Sequence, residues 1–306
     1  MKKQPLGTSP LEVSELALGC MSLGTDEKVA HAIVEAALEE GINYFDTADL
    51  YDFGINERLV GHALKSVRDQ VIIATKVGNR WQEGKDGWSW DPSKAYIKQA
   101  VKDSLQRLQL DYIDLYQLHG GTIDDPIEET IEAFEELKKE GLIRAYGISS
   151  IRPNVIREFV KRSSIDSVMM QYNLLDRRPE ENVLSLLEKH GISVVARGPL
   201  AKGLLSTHWR EKWEKIKEQG YLDYSAQELK ELLEQLEQLT ASNHSLNGLA
   251  LRYILQSEAV ASVVTGASSV QQLKENIRAV KEAALSKQEY ELLQTLTKEA
   301  HYSQHR

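Results

Sequence analysis

Cysteine is nearly missing from this chain: Cys20 is the single one in 306 residues. One thiol excludes an internal disulfide framework and suits a reducing compartment. Long apolar runs are missing too. No stretch approaches the roughly 18 residues of a membrane-spanning helix. The opening MKKQPLGTSPLEVSELALG has lysines but no apolar centre of signal-peptide type. Positive charge is in deficit: 37 Lys and Arg against 46 Asp and Glu leave a net charge of −9. That balance argues against nucleic acid or an anionic membrane as the main partner. His301 and His305, spaced i, i+4, fall in the terminal tail, so no metal site is expected. The absences suggest a cytoplasmic protein and leave its function open.

What is present is a regular alternation. Strand-length apolar runs occur at 16–19, 42–47, 71–77, 113–119, 143–149, 167–173, 192–197 and 261–266. Near-continuous apolar runs of this kind fit parallel strands buried on both faces. Amphipathic helices lie between them. Over 127–140, Ile127, Ile131, Phe134 and Leu137 form one stripe. A helix over 93–109 follows Asp91-Pro92-Ser93, and one over 179–190 opens at Pro179 and stops at Gly191. Eight strand–helix units predict a closed (β/α)8 barrel of TIM type. The alternative, an open doubly wound sheet, usually carries a glycine-rich phosphate turn, which Gly19-Cys20-Met21-Ser22-Leu23-Gly24 matches poorly. One domain over 1–306 is expected. Residues 1–15, with the turn Gly7-Thr8-Ser9-Pro10, read as a hairpin plugging the barrel floor. Residues 203–243 read as an insertion after the seventh strand, whose leucines Leu229, Leu232, Leu233, Leu236 and Leu239 either pack on the barrel or receive a partner. A last helix is expected near 287–300.

In such a barrel the strand ends share one mouth, where chemistry is built. Asp46, Lys76 and His119 each end a strand, and Tyr51 follows Asp46. A phenol ordinarily ionises near pH 10, and a nearby ammonium favours the phenolate. Lys76 on a buried strand needs a counter-ion, and Asp46 is the natural one. His119 can orient a carbonyl oxygen or relay a proton. Taken alone, each residue has a plainer reading: Asp46 and His119 as turn residues, Tyr51 as a loop aromatic, Lys76 as a strand-end surface lysine. Their convergence is what suggests proton delivery to a forming alkoxide. Trp81, Trp88 and Trp90, crowded into the loop after the third strand, suggest an apolar substrate wall or packing of that loop.

Several longer segments resemble the aldo-keto reductase family. They are Gly41-Ile42-Asn43-Tyr44-Phe45-Asp46-Thr47-Ala48 with Tyr51 and Asn56-Glu57, Ala74-Thr75-Lys76-Val77-Gly78, and Asp111-Tyr112-Ile113-Asp114-Leu115-Tyr116-Gln117-Leu118-His119. Gly147-Ile148-Ser149-Ser150, Gln171-Tyr172-Asn173 and Gly198-Pro199-Leu200-Ala201-Lys202-Gly203-Leu204-Leu205 follow in the family's order, across essentially the whole chain. The resemblance implies metal-free, reversible hydride transfer between NADP(H) and an aldehyde or ketone. Tyr51 would be the general acid, tuned by Lys76 and Asp46, with His119 placing the carbonyl. Substrate would meet Tyr51, Trp81, Trp88 and His119. Ser149 and Gln171 would hold the nicotinamide carboxamide, with Cys20, Met21, Asp46, Ser150, Pro199, Leu200 and Lys202 as further cofactor contacts. Gly266, Ser268, Gln272, Glu275 and Asn276 match the adenosine site, at a helix N-terminus that suits phosphate.

The chain departs from the family at three places. Ser150 replaces a usual asparagine. Arg197 replaces a usual tyrosine and is expected to stack on the nicotinamide or to bind phosphate. Neither Ser268 nor Gln272 is basic, so strict selectivity for the 2′-phosphate is not implied. Two other classes stay open: a nicotinamide-binding redox sensor or partner subunit with slow catalysis, and a barrel aldolase or isomerase using Lys76 as an amine nucleophile. The partner is expected to be a small carbonyl compound. Oligomeric state is left open, with a monomer favoured.

Overall fold

A computed structural model describes residues 1–82, 84–240 and 244–306. In chain order the strands are β1 (Lys3–Pro5), β2 (Glu12–Ser14), β3 (Leu16–Gly19), β4 (Tyr44–Asp46), β5 (Ile72–Val77), β6 (Asn79–Arg80), β7 (Ser89–Trp90), β8 (Ile113–Leu118), β9 (Ile143–Ser149), β10 (Ser167–Gln171), β11 (Ser193–Arg197) and β12 (Val260–Gly266). The helices are α1 (Glu27–Glu39), α2 (Ile55–Leu64), α3 (Lys94–Leu108), α4 (Ile127–Lys139), α5 (Pro153–Arg162), α6 (Val183–Lys189), α7 (Trp209–Glu214), α8 (Ala226–Leu239), α9 (Leu246–Ile254), α10 (Val270–Val280) and α11 (Lys287–Leu296).

Eight strands, β3, β4, β5 and β8 to β12, form a closed parallel barrel, shut where β12 pairs with β3 from Val263↔Leu16 to Gly266↔Gly19. This is the (β/α)8 fold expected from the apolar runs. Side chains alternate inward and outward along each strand, so two separate apolar clusters arise. The outer one joins the strands to the helix stripes, Phe134 and Leu137 of α4 among them. The inner one fills the cylinder with Ala17, Tyr44, Ile72, Ala74, Leu115, Ala145, Met169 and Val195.

The floor of that inner cluster comes from the N-terminus. β1 and β2 pair antiparallel, and Leu6, Leu11 and Val13 join the barrel interior. Gly7 turns the hairpin at φ +59°, and a Cβ there would lie 2.1 Å from the Asp166 carbonyl oxygen, so only glycine lets the turn press this close.

Several boundaries differ from the sequence reading. The helix expected over 179–190 is a short 3-10 turn at Arg178–Glu181 followed by α6, because Asn182 takes an extended φ of −161°. The last helix ends at Leu296 rather than near 300, where Thr297 turns extended. In the segment after β11, Leu229, Leu232, Leu233 and Leu236 are buried in the outer cluster and Leu239 packs against it. These leucines are used in packing, so the partner-binding alternative loses its surface. The final residues of that segment, 241–243, lie outside the described ones.

Truncating the floor tests the packing argument. Leu6→Ala is expected to cost about 2–5 kcal/mol, read as a lower urea midpoint at an unchanged m-value.

Candidate active site

Register decides which polar groups meet. Asp46 pairs with Ala74, and Lys76 with Gln117. By alternation Tyr44 and Asp46, Ala74 and Lys76, and Leu115 and Gln117 share the inward face, so polar groups cap the apolar interior at the C-terminal rim. Lys76 is 1% exposed. Its Nζ donates to Asp46 Oδ2 at 2.7 Å, to the Thr47 carbonyl oxygen at 2.7 Å and to Tyr51 Oη at 3.5 Å. An ammonium has three hydrogens, and each has an acceptor. Burial pushes Lys76 down, but Asp46 and Tyr51 together outweigh it and the net shift is upward. A lysine so held has no free electron pair, which disfavours the amine-nucleophile alternative. Burial likewise pushes the Asp46 carboxyl up, against the pull of Lys76.

The ammonium also lies 5.1 Å from the Tyr51 ring centroid, and the Tyr51 and His119 rings meet edge to face at 5.9 Å. Burial, then Lys76 and Arg197, lower His119 to about 3. The imidazole is therefore neutral at ordinary pH and serves as a hydrogen-bonding group rather than a titrating acid. Tyr51 sits on a strained turn. Asp52 and Phe53 have φ of 48° and 49°, and Phe53 rests edge to face on Trp81 at 5.7 Å. Beneath the turn, Asn56 Nδ2 donates to the Cys20 carbonyl and Thr47 Oγ1 to Asn56 Oδ1, while Glu57 accepts from Thr75 and Arg107. The Asn56-Glu57 pair thus braces the loop and stays out of the mouth.

The four residues open into one cavity of about 1050 Å³, at the upper end of the range for small-molecule sites. Its walls also include Met21, Ser149, Ser150, Gln171, Arg197, Pro199, Leu200, Lys202, Gly266, Ser268, Gln272, Glu275 and Asn276. Gln171 is fixed from two sides: its amide donates to Asp176 and its oxygen accepts from Arg197 at 3.3 Å. The Ser150 hydroxyl accepts from the Arg152 backbone and so braces its own loop. Ser268 donates through its backbone and its hydroxyl to Gln272. Glu275 faces His208 at 3.3 Å, and Asn276 accepts from Asn247.

Three expectations need correction. Cys20 does not reach the cavity: it is fully buried, and its Sγ faces the Leu18 carbonyl. Trp81 is absent from the wall: its ring meets Phe53 edge to face and has the Arg107 guanidinium over it. Trp88 is 54% exposed and likewise outside the wall. Trp90 packs the loop instead: its Nε1 donates to Asp125, and its ring lies so close to Gly78 that a Cβ there would meet it at 2.5 Å.

Two buried polar residues escaped the sequence reading. Gln117, inside β8, stands beside Asp46 and draws its carboxyl down, though neither amide atom reaches hydrogen-bond geometry among the described residues. A lone amide within IDLYQLH was the available signal. Asp49 is 1% exposed and pushed well up by burial and by Glu57; the carboxylates at Asp46 and Asp49 look alike in sequence.

A dinucleotide suits this cavity. Buried polar atoms without partners among the described residues stand at both ends: Asp46 Oδ1 and His119 Nδ1 by the strand tips, Asn276 Nδ2 at α10. The N-terminus of α10 adds its dipole there.

Comparison with known proteins agrees. The model of the Aldo/keto reductase family matches residues 15–298. The chain is 58% identical, over the full length of both, to the uncharacterized oxidoreductase YqkF of Bacillus subtilis. It is 33% identical to the NADH-specific methylglyoxal reductase of Escherichia coli, over 92% of this chain and 94% of that one. The holo form of aldo-keto reductase AKR11C1 from Bacillus halodurans superposes with a TM-score of 0.95 at 60% identity, covering 100% of this chain and 99% of that one. No helix among the described residues is long and apolar enough to cross a membrane.

Removing one member of the buried pair should expose its cost. Asp46→Ala is expected to lose about 3–5 kcal/mol in urea unfolding, and adding Lys76→Met should recover part of it. His119 gives a pH signature. Between about pH 3 and 6.5 the unfolded chain binds a proton at this position and the folded one does not. Its contribution to stability therefore falls as pH drops through that window, and His119→Gln should flatten the slope. Proton NMR of the imidazole should show no titration between pH 5 and 8.

Proposed function

The chain belongs to the aldo/keto reductase family of oxidoreductases acting on carbonyls, and from that premise we propose that it reduces an aldehyde or ketone to an alcohol with NADP(H) as cofactor. The observation that carries this reading is the Lys76 ammonium, bonded to Asp46 and facing Tyr51 Oη, in one cavity with Ser149 and Gln171.

When bound, the nicotinamide supplies a hydride to the carbonyl carbon. Every other part of the chemistry belongs to the chain. Tyr51 gives its phenolic proton to the carbonyl oxygen, so C=O plus hydride plus proton becomes CH–OH. The Lys76 ammonium, 3.5 Å away, stabilises the phenolate that remains. Asp46 keeps that ammonium charged in a buried place. Neutral His119 places the oxygen by a hydrogen bond. In the reverse direction the phenolate takes the alcohol proton.

Gln171 and Ser149 would hold the carboxamide, and Arg197, held against Gln171, would lie on the ring or on a phosphate. Lys202 and Lys212 line the same cavity and offer charge to phosphates. Ser268, Gln272 and Asn276, at the N-terminal end of α10, would receive the adenosine. Met21, Pro199, Leu200, Gly266 and Glu275 stand in the wall beside them.

Consumption of NADPH with a panel of aldehydes and ketones tests the activity. Tyr51→Phe should lower turnover by about 10²- to 10⁴-fold while cofactor still quenches tryptophan fluorescence. A Phe variant with full activity removes the proposed acid; absence of turnover with every carbonyl favours a redox sensor. Arg197→Ala should weaken cofactor binding by about tenfold, and equal dissociation constants for NADH and NADPH would reject a strict preference for the phosphorylated form.

A further inference from the structure

We infer that Arg152 anchors an anionic group of the substrate, so that the preferred carbonyl compounds carry a carboxylate or phosphate beyond the carbonyl carbon. The inference rests on the carbonyl-reduction reading of the same cavity. Arg152 lines that cavity on the β8 and β9 side, with His119 and Gly120. The cations attributed above to the cofactor are Arg197, at the end of β11, and Lys202 and Lys212, in the chain that follows it.

The guanidinium has five donors. Among the described residues its one hydrogen-bond partner is the Gly121 carbonyl oxygen, met through Nη1. That bond ties the guanidinium to the loop two residues beyond His119, a span of at most about 7 Å. The remaining donors form a planar edge that matches a carboxylate or phosphate. The backbone adds to the same sign: Arg152 is the N-cap of α5, a ten-residue helix whose positive end starts here. Leu50 and Ile151 line the same cavity, and Arg152 itself is half-buried. A charge partly withdrawn from water is felt more strongly than one in bulk solvent.

The site therefore offers a bond-making end at Tyr51 and His119 and an anion-holding end at Arg152. Semialdehydes, oxo acids and aldehyde phosphates share that chemistry.

The test uses the full chain with NADPH and pairs that differ only in charge: 4-carboxybenzaldehyde against its methyl ester, and glyceraldehyde 3-phosphate against glyceraldehyde. In the wild type, kcat/KM should favour the charged member of at least one pair by about tenfold or more, and the pair that responds separates carboxylate from phosphate. The preference should shrink with added salt, drop towards one in Arg152→Gln mainly through KM, and partly return in Arg152→Lys. Wild-type ratios near one for both pairs overturn the inference, as does a preference that Arg152→Gln leaves intact. Should Arg152→Gln fail to fold, the wild-type ratios and their salt dependence still decide. Binding of 4-carboxybenzaldehyde and its ester to the NADP⁺-loaded protein is measured in parallel by tryptophan fluorescence. If no aldehyde is reduced, the carbonyl-reduction reading fails, while tighter binding of the acid or its absence still judges the anion site.

Discussion

An ammonium group inside a barrel is the constraint on which the rest of this structure depends. Lys76 is 1% exposed, and an isolated charge in that position would cost many kcal/mol or give up its proton. It stays charged because Asp46, on the neighbouring strand, and the Thr47 carbonyl take two of its hydrogens at 2.7 Å. That requirement ties β4 to β5 in one register, keeps the chain after Asp46 folded back over the strand ends, and aims the third hydrogen at Tyr51. The proposed catalytic arrangement and the local fold are the same set of bonds seen from two sides.

The barrel supplies the surroundings that make those bonds matter. Below the ion pair lie Tyr44, Ala74 and Leu115, and below them the plug residues Leu6, Leu11 and Val13. The apolar column closes the lower end of the barrel, so the polar groups at the rim stand over a medium of low polarisability and interact more strongly than they would in solution. The same medium holds His119 neutral, which suits a hydrogen-bond donor more than a proton store. Loop strain is borne where it is useful. Phe53, at φ 49°, leans on Trp81, which in turn lies over Arg107, the partner of the buried Glu57. The turn that carries Tyr51 is therefore held from outside as well as from below.

Most of this architecture was legible because burial on both faces leaves an apolar run, and a barrel strand has few other ways to be written. Polar residues at the ends of such runs, Asp46, Lys76 and His119, stood out for the same reason. Gln117 did not, since it sits inside a run and the carboxyl it stands beside, Asp46, is on another strand. The tryptophans misled in the opposite way. Composition told that the loop after β5 was aromatic, but the direction of each ring depends on which neighbour offers a fit. Trp90 found glycines at 78 and 120, and Trp81 found Phe53 and Arg107. Cys20 was carried by its neighbours: Met21 reaches the cavity, and the adjacent side chain points the other way into the outer core.

Total charge proved a poor guide to the mouth. The chain has a net charge of −9, and that value speaks to solubility and to the surfaces the protein avoids. Inside the cavity the balance reverses. Lys76, Arg152, Arg197, Lys202 and Lys212 line it against Asp46, Glu211 and Glu275. Asp46 is spent on Lys76, and Glu275 faces His208. The remaining cations outnumber Glu211 and Glu275, so an anion approaching an acidic surface finds an attractive opening here. In the proposed reading a phosphate-bearing cofactor would answer part of it, on the β11 side. Arg152 stands apart from that part, beside the histidine that would orient the carbonyl, and its geometry asks for a second anion that the cofactor does not provide.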